Sequence, residues 1–561
     1  MSAQKTIVRW IDSKNYIKMA YDKIEKGQYE SALSYLFTLL NKENNLETIK
    51  LIAQVYDRIG EFDRATKYWL SYLSACPKEE KVQAYEGLIQ TLLEDKDFLY
   101  AGVYMHCLLQ EDNSQENKER LLEFSTLFMN KDNSGEYYLA YSNGKENYQI
   151  LNARISELFL RKKYNQAVDL INSIPPEEVS DQVIEEFSLE AYFRDDLDRF
   201  FAFCKSVILA NPNNMTALCN LSSVAKNKGN LEKAKYYYGL AKSKFNGSVS
   251  DCYSLTDCAI EQGDHAFICT CIESILAKEN QSKVIFPYAI ALANLGKYEM
   301  AYENISKICR LFPDNRVYSF YAKYIYQLIQ NGKDIKGYLP FEYKEEFPKP
   351  VCEEFASEID KIFDNLDKLN STKKRKEYLE ILEWGVKNPN IEISHKSIVI
   401  LSIVNTNWSR KVLFDCLIDT EVSIIAKQKI IRFCFLAGYR GKFTFTVLKQ
   451  LIAIKPPKLD FENKTNSSLF VQGYANALSR MNFYPYDNLK VLNNSASKVY
   501  EKLCPFVKEK DLSQEEITCL ILQDINYNGI FNNKETIRNY FEVDADKIKE
   551  LTKIINGDKN D

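Results

Sequence analysis

The chain has three histidines, His106, His265 and His395, each in a separate helical context with no partner at metal-ligand spacing. Cys269 and Cys271, in "CTC", fall on different faces of a helix, so their thiols do not converge on one ion. Paired C-x-x-C knuckles are absent. So are a G-x-x-x-x-G-K-[ST] phosphate cradle, a G-x-G-x-x-G turn behind a strand and a G-x-S-x-G elbow. Carboxylates abound at the spacing of solvated helix surfaces. These residue types argue for no catalytic, metal or cofactor site, and the expectation is a non-enzymatic chain without a cofactor. The densest cationic run, KKRK from Lys373 to Lys376, has the chemistry to touch an acidic ligand. Its place before an apolar helix makes a solvated first turn the plainer reading.

Length and composition bound what can carry function. At 561 residues the chain exceeds one compact core. It is 45% hydrophobic, with 37 Tyr and 31 Phe against 19 Gly and 14 Pro, a mix that suits long helices joined by short turns. The formal net charge of -4 offers no whole-chain basic excess for nucleic acid. The first residues, "MSAQKTIVRWIDSKNYIKMA", contain no apolar run of leader length, and no later stretch reaches the roughly 20 apolar residues of a membrane span. With 14 scattered Cys, the expectation is a cytoplasmic protein.

A recurring phrase organises the first half. "VIFPYAIALANLGKYEMAYENISKICRLFPDN" places Tyr288, Ala289, Gly296, Tyr298, Ala301 and Pro313. "ETIKLIAQVYDRIGEFDRATKYWLSYLSACPKEE" places Ala53, Tyr56, Gly60, Phe62, Ala65, Trp69 and Pro77 in the same relative positions. "SKNYIKMAYDKIEKGQYESALSYLFTLLNKEN" gives Tyr16, Ala20, Gly27, Tyr29, Ala32 and Leu36, and "MTALCNLSSVAKNKGNLEKAKYYYGLAKSKF" gives Leu218, Leu221, Gly229, Leu231, Ala234, Tyr238 and Ala241. The glycine spacing, Gly27 to Gly60 and Gly229 to Gly263 to Gly296, is 33 or 34 residues. Small residues allow two helices to cross closely, the glycine ends helix A in a left-handed conformation, and the proline stops helix B. One such pair cannot bury its apolar face alone, so the pairs must stack.

These residues resemble the tetratricopeptide repeat family. Weaker copies fill the gaps: Tyr85, Phe98 and Ala101; Leu158, Tyr164 and Ala167; Ala191 and Pro212, with Phe200 in place of Ala; and Gly263, with His265 at the aromatic place. The resemblance covers residues 13 to 330. It implies an all-α solenoid whose A helices line a concave face that binds a peptide or a partner helix. Carried over by repeat phase, that face takes Lys14, Lys18, Tyr21, Lys50, Gln54 and Arg58, then Asn220, Ser223, Asn227, Tyr253, Asp257, Asn294, Lys323 and Tyr326. The two-Lys, two-Asn, one-Arg carboxylate clamp of some members does not assemble in consecutive repeats here, and that chaperone-tail function is not carried over.

The expected organisation is tetratricopeptide-like repeats over 1–128, an irregular linker or degenerate repeat at 129–147, a second repeat block at 148–330 and a Gly/Pro boundary at 331–350. HEAT-like helical pairs follow at 351–455, then an irregular joint and helices at 456–504 and a small helical module at 505–561. That module has a degenerate helix-turn-helix rhythm, with Ile537, Phe541, Val543 and Ile548 at its apolar places. Glu542 stands at the usual turn glycine, and the second helix offers Asp544, Asp546 and Glu550 beside Lys547 and Lys549, a poor surface for phosphates. The leading expectation is a protein–protein scaffold that binds a protein or peptide, with nucleic acid not expected. The alternative is a regulator whose repeats sense a partner while the C-terminal module contacts nucleic acid or transcription machinery.

Overall fold

The computed structural model describes residues 13–43, 45–95, 97–128, 130–131, 137–138, 148–160, 163–277, 282–332, 339–370, 375–480, 489–525, 537–538 and 541–557. Two compact units result, one formed by 1–65 with 77–349 and the other by 66–76 with 350–561.

In the first unit, helical hairpins follow one another: α1 (Ser13–Glu25) with α2 (Tyr29–Leu40), α3 (Leu46–Arg58) with the start of α4 (Phe62–Ala75), α5 (Lys81–Glu94) with α6 (Phe98–Glu111), then α7 (Gln115–Phe128). After the short antiparallel pair β1 (Asn130–Lys131) and β2 (Tyr137–Tyr138) come α8 (Tyr148–Leu160) with α9 (Tyr164–Ser173), α10 (Asp181–Phe193) with α11 (Leu197–Ala210) and α12 (Met215–Asn227) with α13 (Leu231–Ser243). α14 (Val249–Gln262) with α15 (His265–Leu276), α16 (Ile285–Asn294) with α17 (Tyr298–Leu311), and α18 (Arg316–Asn331) complete the series. Most of the irregular stretch 129–147 lies outside the described residues.

The repeat phrase does what its residue types require. Gly27, Gly60, Gly229, Gly263 and Gly296 all hold φ between +67° and +78°, a region closed to most side chains. Ala20, Ala32, Ala53, Ala65, Ala234, Ala289 and Ala301 are fully or almost fully buried where helices cross. Side-chain caps fix the starts: Asn45 for α3, Ser180 for α10, Asn214 for α12, Asp264 for α15 and Asn315 for α18 each accept from backbone N–H groups of the first turn.

Two features of this unit have no counterpart in the repeat pattern. Its earliest hairpins touch its latest ones, because α2 packs on α17. Glu30 pairs with Arg310 at 2.7 Å, Arg64 with Asp314 at 3.1 Å, Tyr56 Oη donates to the Leu311 carbonyl at 3.1 Å, and Ser282 donates to the buried Glu61. A strap after α18 lies on the last repeats. Phe341 inserts among Tyr298, Tyr321 and Tyr324, and Tyr343 hydrogen-bonds His265 Nδ1 at 2.7 Å.

The second unit contains α19 (Lys349–Asp364), α20 (Arg375–Lys387), α21 (Ile391–Val404), α22 (Asn407–Ile418) and α23 (Ile424–Leu436). α20 pairs with α21 and α22 with α23, and the pairs stack in two layers, α20 on α22 and α21 on α23. Lys373 and Lys374 of the cationic run lie outside the described residues. A β-hairpin, β3 (Phe443–Val447) with β4 (Gln450–Ile454), then interrupts the stretch expected to be helical throughout. It is followed by α24 (Ser467–Arg480), α25 (Leu489–Leu503), α26 (Gln514–Asp524) and α27 (Ala545–Asn556). Helix crossings here use glycine. A Cβ on Gly473 of α24 would meet Ile517 Cγ2 at 2.4 Å, and one on Gly385 would meet Ser397 Oγ at 2.1 Å.

Buried charge also marks this unit. Asp419, in the turn "IDTE", accepts from Lys67 at 3.1 Å and Lys387 at 3.0 Å. These two ammonium groups, against the cost of burial, hold its carboxyl well below the usual range. Lys427 is 3% exposed and donates to Thr446 O at 2.9 Å and Thr446 Oγ1 at 2.6 Å. Burial pushes it down to about 8. At the C-terminus, Ile537, Phe541, Val543 and Ile548 are all buried, and Glu542 takes φ +55° at the turn.

Candidate functional site

α10, α12 and α14 are the A helices of three successive hairpins, and they pack side by side. Their exposed residues meet. Asn227 Nδ2 of α12 donates to Tyr192 Oη of α10. Ser223 Oγ of α12 donates to Glu261 Oε2 of α14 at 2.6 Å, and Lys226 Nζ donates to the Glu261 carbonyl. Thr216 and Ser254 share a hydrogen bond of 3.0 Å, and Asn214 Nδ2 donates to Asp181 Oδ1 at 3.3 Å. Side-chain bonds thus link α10 to α12 and α12 to α14.

The field on this face is negative. Burial first, then Asp181, Asp257 and Glu186, raise the carboxyl of Glu185. Burial and then Glu261 raise Asp257, although Asp257 stays open to solvent. Asp181 and Asp257 thus act on Glu185, and Glu261 on Asp257, across α10 and α14. Apolar surface adjoins them: Tyr192 and Tyr253 are 38% and 39% exposed, and Leu189 and Phe193, on the outer turns of α10, reach 61% and 85%. Carboxylates next to exposed rings and an isobutyl group can pair with cationic groups and cover their alkyl stems.

Among the residues expected by repeat phase, Asn220, Ser223, Asn227, Tyr253 and Asp257 lie on these helices. Asn220 turns back to the Thr216 carbonyl at 2.9 Å, while Ser223 and Asn227 bond across to the neighbouring helices and Asp257 acts on Glu185. Tyr192, Glu185 and Glu261 were not singled out from sequence. Helical spacing could have found them, because Glu185 and Tyr192 are seven residues apart and Asp257 and Glu261 four.

The N-terminal set forms a separate row. Lys18 and Tyr21 are exposed on α1, Lys50 and Gln54 half-buried and Arg58 exposed on α3. Lys14 lies on α1, its side chain outside the described residues. Tyr21 Oη donates to Glu47 at 3.3 Å, and Lys50 Nζ donates to Gln83 Oε1 of α5 at 3.3 Å. The last set does not join either row. Asn294 spends its amide on the Phe341 carbonyl of the strap at 3.2 Å. Lys323 and Tyr326 are exposed on α18, with the Tyr326 ring 5.5 Å from that of Tyr302 on α17.

Elsewhere in the first unit, a cavity of about 350 Å³ is lined by Glu30, Ser31, Ser282 and Lys307, among others, and Glu30 there already pairs with Arg310. Among the described residues no group of three His, Cys, Asp or Glu could hold a metal ion, and no helix is long and apolar enough to cross a membrane.

The helical hairpins, their left-handed glycines and their buried alanines define the class: the first unit is an α-solenoid of hairpins with the tetratricopeptide-repeat geometry, and the described residues are all-α apart from two short antiparallel strand pairs. No family model matches the chain, and no curated protein matches it. Among solved structures it is similar to yeast Tom70, at 11% identity and TM-score 0.29 over 76% of this chain and 95% of that one. It is also similar to a tetratricopeptide repeat protein from Parabacteroides merdae, at 14% identity and TM-score 0.21 over 56% and 98%. A human IFIT1 dimer with PPP-AAAA matches at 15% identity and TM-score 0.23 over 71% and 92%. At these scores the neighbours decide nothing further, and the repeat assignment rests on the chain's own geometry.

Proposed function

We propose that the protein is a non-enzymatic interaction scaffold and that the shared face of α10, α12 and α14 holds a positively charged segment of a partner protein. The bonds of Asn227 to Tyr192 on one side of α12 and of Ser223 to Glu261 on the other carry this reading. They set polar groups of three helices beside clustered carboxylates and exposed rings. Lysine or arginine side chains on the segment neutralise the carboxylates, and their alkyl stems lie on Tyr192, Tyr253 and Leu189. Affinity is spread over several helices, as the stacked architecture dictates.

Selection of random displayed peptides on the full-length protein tests this. Enriched peptides are expected to carry Lys or Arg with aliphatic residues. Their affinity should fall at least tenfold for the double variant Asp257→Lys, Glu261→Lys. Peptides without basic residues, or equal affinity for parent and variant, would move the binding surface elsewhere.

A further inference from the structure

The second unit carries a face of the opposite sign. Helices α21, α23, α24 and α26 form one packed row, α21 on α23, α23 on α24 and α24 on α26. His395 of α21 sets its ring edge-on against Phe433 of α23, with centroids 5.4 Å apart. Lys429, one turn before Phe433, reaches the Ile391 carbonyl of α21 at 3.4 Å. Arg432 lies over the Phe433 ring at 5.2 Å and reaches Gln514 Oε1 of α26 at 3.4 Å. Arg480, the last residue of α24, lies over Phe541 at 4.9 Å.

These groups sense one another. Burial, then Lys429 and Arg432, hold the His395 imidazole below its ordinary value. Burial and Arg432 do the same to Lys429, and burial and Arg480 to Arg432, with Glu515 the one carboxylate acting in the other direction. Among the described residues no carboxylate lies within ion-pair distance of Lys429 or Arg432, whereas neighbouring Lys396 pairs with both Asp360 and Glu392. Like charges held side by side and half-desolvated cost free energy, and an anion placed among them returns it. Isoleucines rim the row: Ile391 is 64% exposed and Ile425, one turn before Lys429, 55%.

We propose that this face binds an acidic peptide segment, its Asp or Glu side chains seated among His395, Lys429 and Arg432 and its aliphatic residues on Ile391 and Ile425. The spacing fits an extended chain. Neighbouring helices stand roughly 8–10 Å apart, and every third residue of an extended peptide recurs at about 10 Å. Nucleic acid fits less well. Two cations beside an imidazole held below its ordinary value neutralise few phosphates, and the aromatic beside them, Phe433, is occupied by the His395 edge and the Arg432 plane. This site is independent of the one on α10, α12 and α14.

Fluorescence anisotropy on the full-length protein tests it. The probes are a labelled peptide alternating Glu and Leu, its Gln-for-Glu counterpart, and a labelled single-stranded oligonucleotide. The acidic peptide is expected to bind, to weaken with added salt, and to lose at least tenfold in affinity for Lys429→Glu. Arg432→Gln, which keeps a polar group for Gln514, is expected to lose three- to tenfold with an unchanged melting curve. Asp257→Lys with Glu261→Lys in the first unit should leave this affinity intact. Equal binding of the Gln peptide, indifference to both Lys429→Glu and Arg432→Gln, or tighter binding of the oligonucleotide through those residues would each overturn the proposal.

Discussion

The face of α10, α12 and α14 and the face of α21 and α23 are built alike, with neighbouring helices each adding a short row of side chains, yet their charges are opposite. A net charge of -4 over 561 residues conceals both. A whole-chain sum averages local fields that act over about 10 Å, the distance at which salt screens them. The absence of a basic excess therefore said nothing about His395, Lys429 and Arg432. The two units also differ in how helices are brought together. The first repeats alanine at a fixed phase. The second uses glycine at Gly385 and Gly473, where the approach leaves no room for a Cβ, and buries the charged side chains of Asp419 and Lys427.

The sharpest break in that contrast is Gly473→Val. An alanine Cβ would already stand 2.4 Å from Ile517 Cγ2 and 3.3 Å from the Thr518 nitrogen, so α24 and α26 must separate to accept a branched side chain. We expect a loss of about 3 kcal/mol or more. Three of the four tryptophans, Trp384, Trp408 and, through the 66–76 segment, Trp69, belong to the second unit, and only Trp10 to the first, so urea unfolding followed by tryptophan fluorescence reads mainly the second unit. Ala32→Trp in the first unit should cost about 1–3 kcal/mol, seen by circular dichroism. An unchanged urea midpoint for Gly473→Val would mean that glycine is not what sets the α24–α26 distance.

Next in size is Lys427→Met. With the Lys427 ammonium held near 8 against an ordinary 10.5, the folded state binds this proton less tightly than the unfolded chain. Stability is therefore lowest below pH 8 and rises as pH climbs from 8 toward 10.5. Methionine of similar length removes the buried charge but leaves the Thr446 carbonyl without its donor. The net expectation is a gain of about 1–2 kcal/mol at pH 7 and a flatter stability profile between pH 8 and 10. A loss of stability at pH 7 would show that the bonds to Thr446 outweigh the cost of burial.

How far the sequence revealed these units follows from the same contrast. Where a 33- or 34-residue period fixes the phase, single residues were legible. The left-handed glycines, the buried alanines, and Ser223, Asn227 and Asp257 on the α10–α12–α14 face all follow from it. The apolar places Ile537, Phe541, Val543 and Ile548 were also legible, from helical spacing alone. The contact of α2 with α17 was not, because pairs such as Glu30 and Arg310 lie 280 residues apart and no local pattern encodes them. The cationic face was not, because the second unit has no period against which its exposed positions could be aligned. The β-hairpin escaped for a different reason. "FTFTV" and "QLIAI" are strand-like, but the turn between them, Leu448–Lys449, lacks the glycine or asparagine that signals a two-residue loop.

That turn gives a smaller prediction. Leu448 holds φ +54°, where an L side chain crowds the backbone, and it is 63% exposed with little to lose. Leu448→Gly removes the strain at the cost of extra freedom in the unfolded chain, for a net gain of about 0.5–1 kcal/mol in the urea midpoint of the second unit. A loss instead would mean that the Leu448 side chain contributes packing that outweighs its backbone strain.

The smallest expected change tests the first face directly. Asp257 is open to solvent, so screening limits what its neighbours can do to stability. Its carboxyl is nevertheless raised, by burial and by Glu261, which means the folded protein holds that proton more tightly than the unfolded chain does. The associated stability is full below the ordinary carboxylate range and is lost as pH rises through the raised value. Asp257→Asn should therefore leave stability at pH 4 nearly unchanged and improve it at pH 7 by a few tenths of a kcal/mol, while weakening any basic peptide selected on the α10–α12–α14 face. A residue that is slightly unfavourable for folding but needed for binding is what a recognition surface predicts. If Asp257→Asn destabilises the protein at pH 7, the carboxylate is there to hold the helices together, and the acidic face is scaffold rather than site.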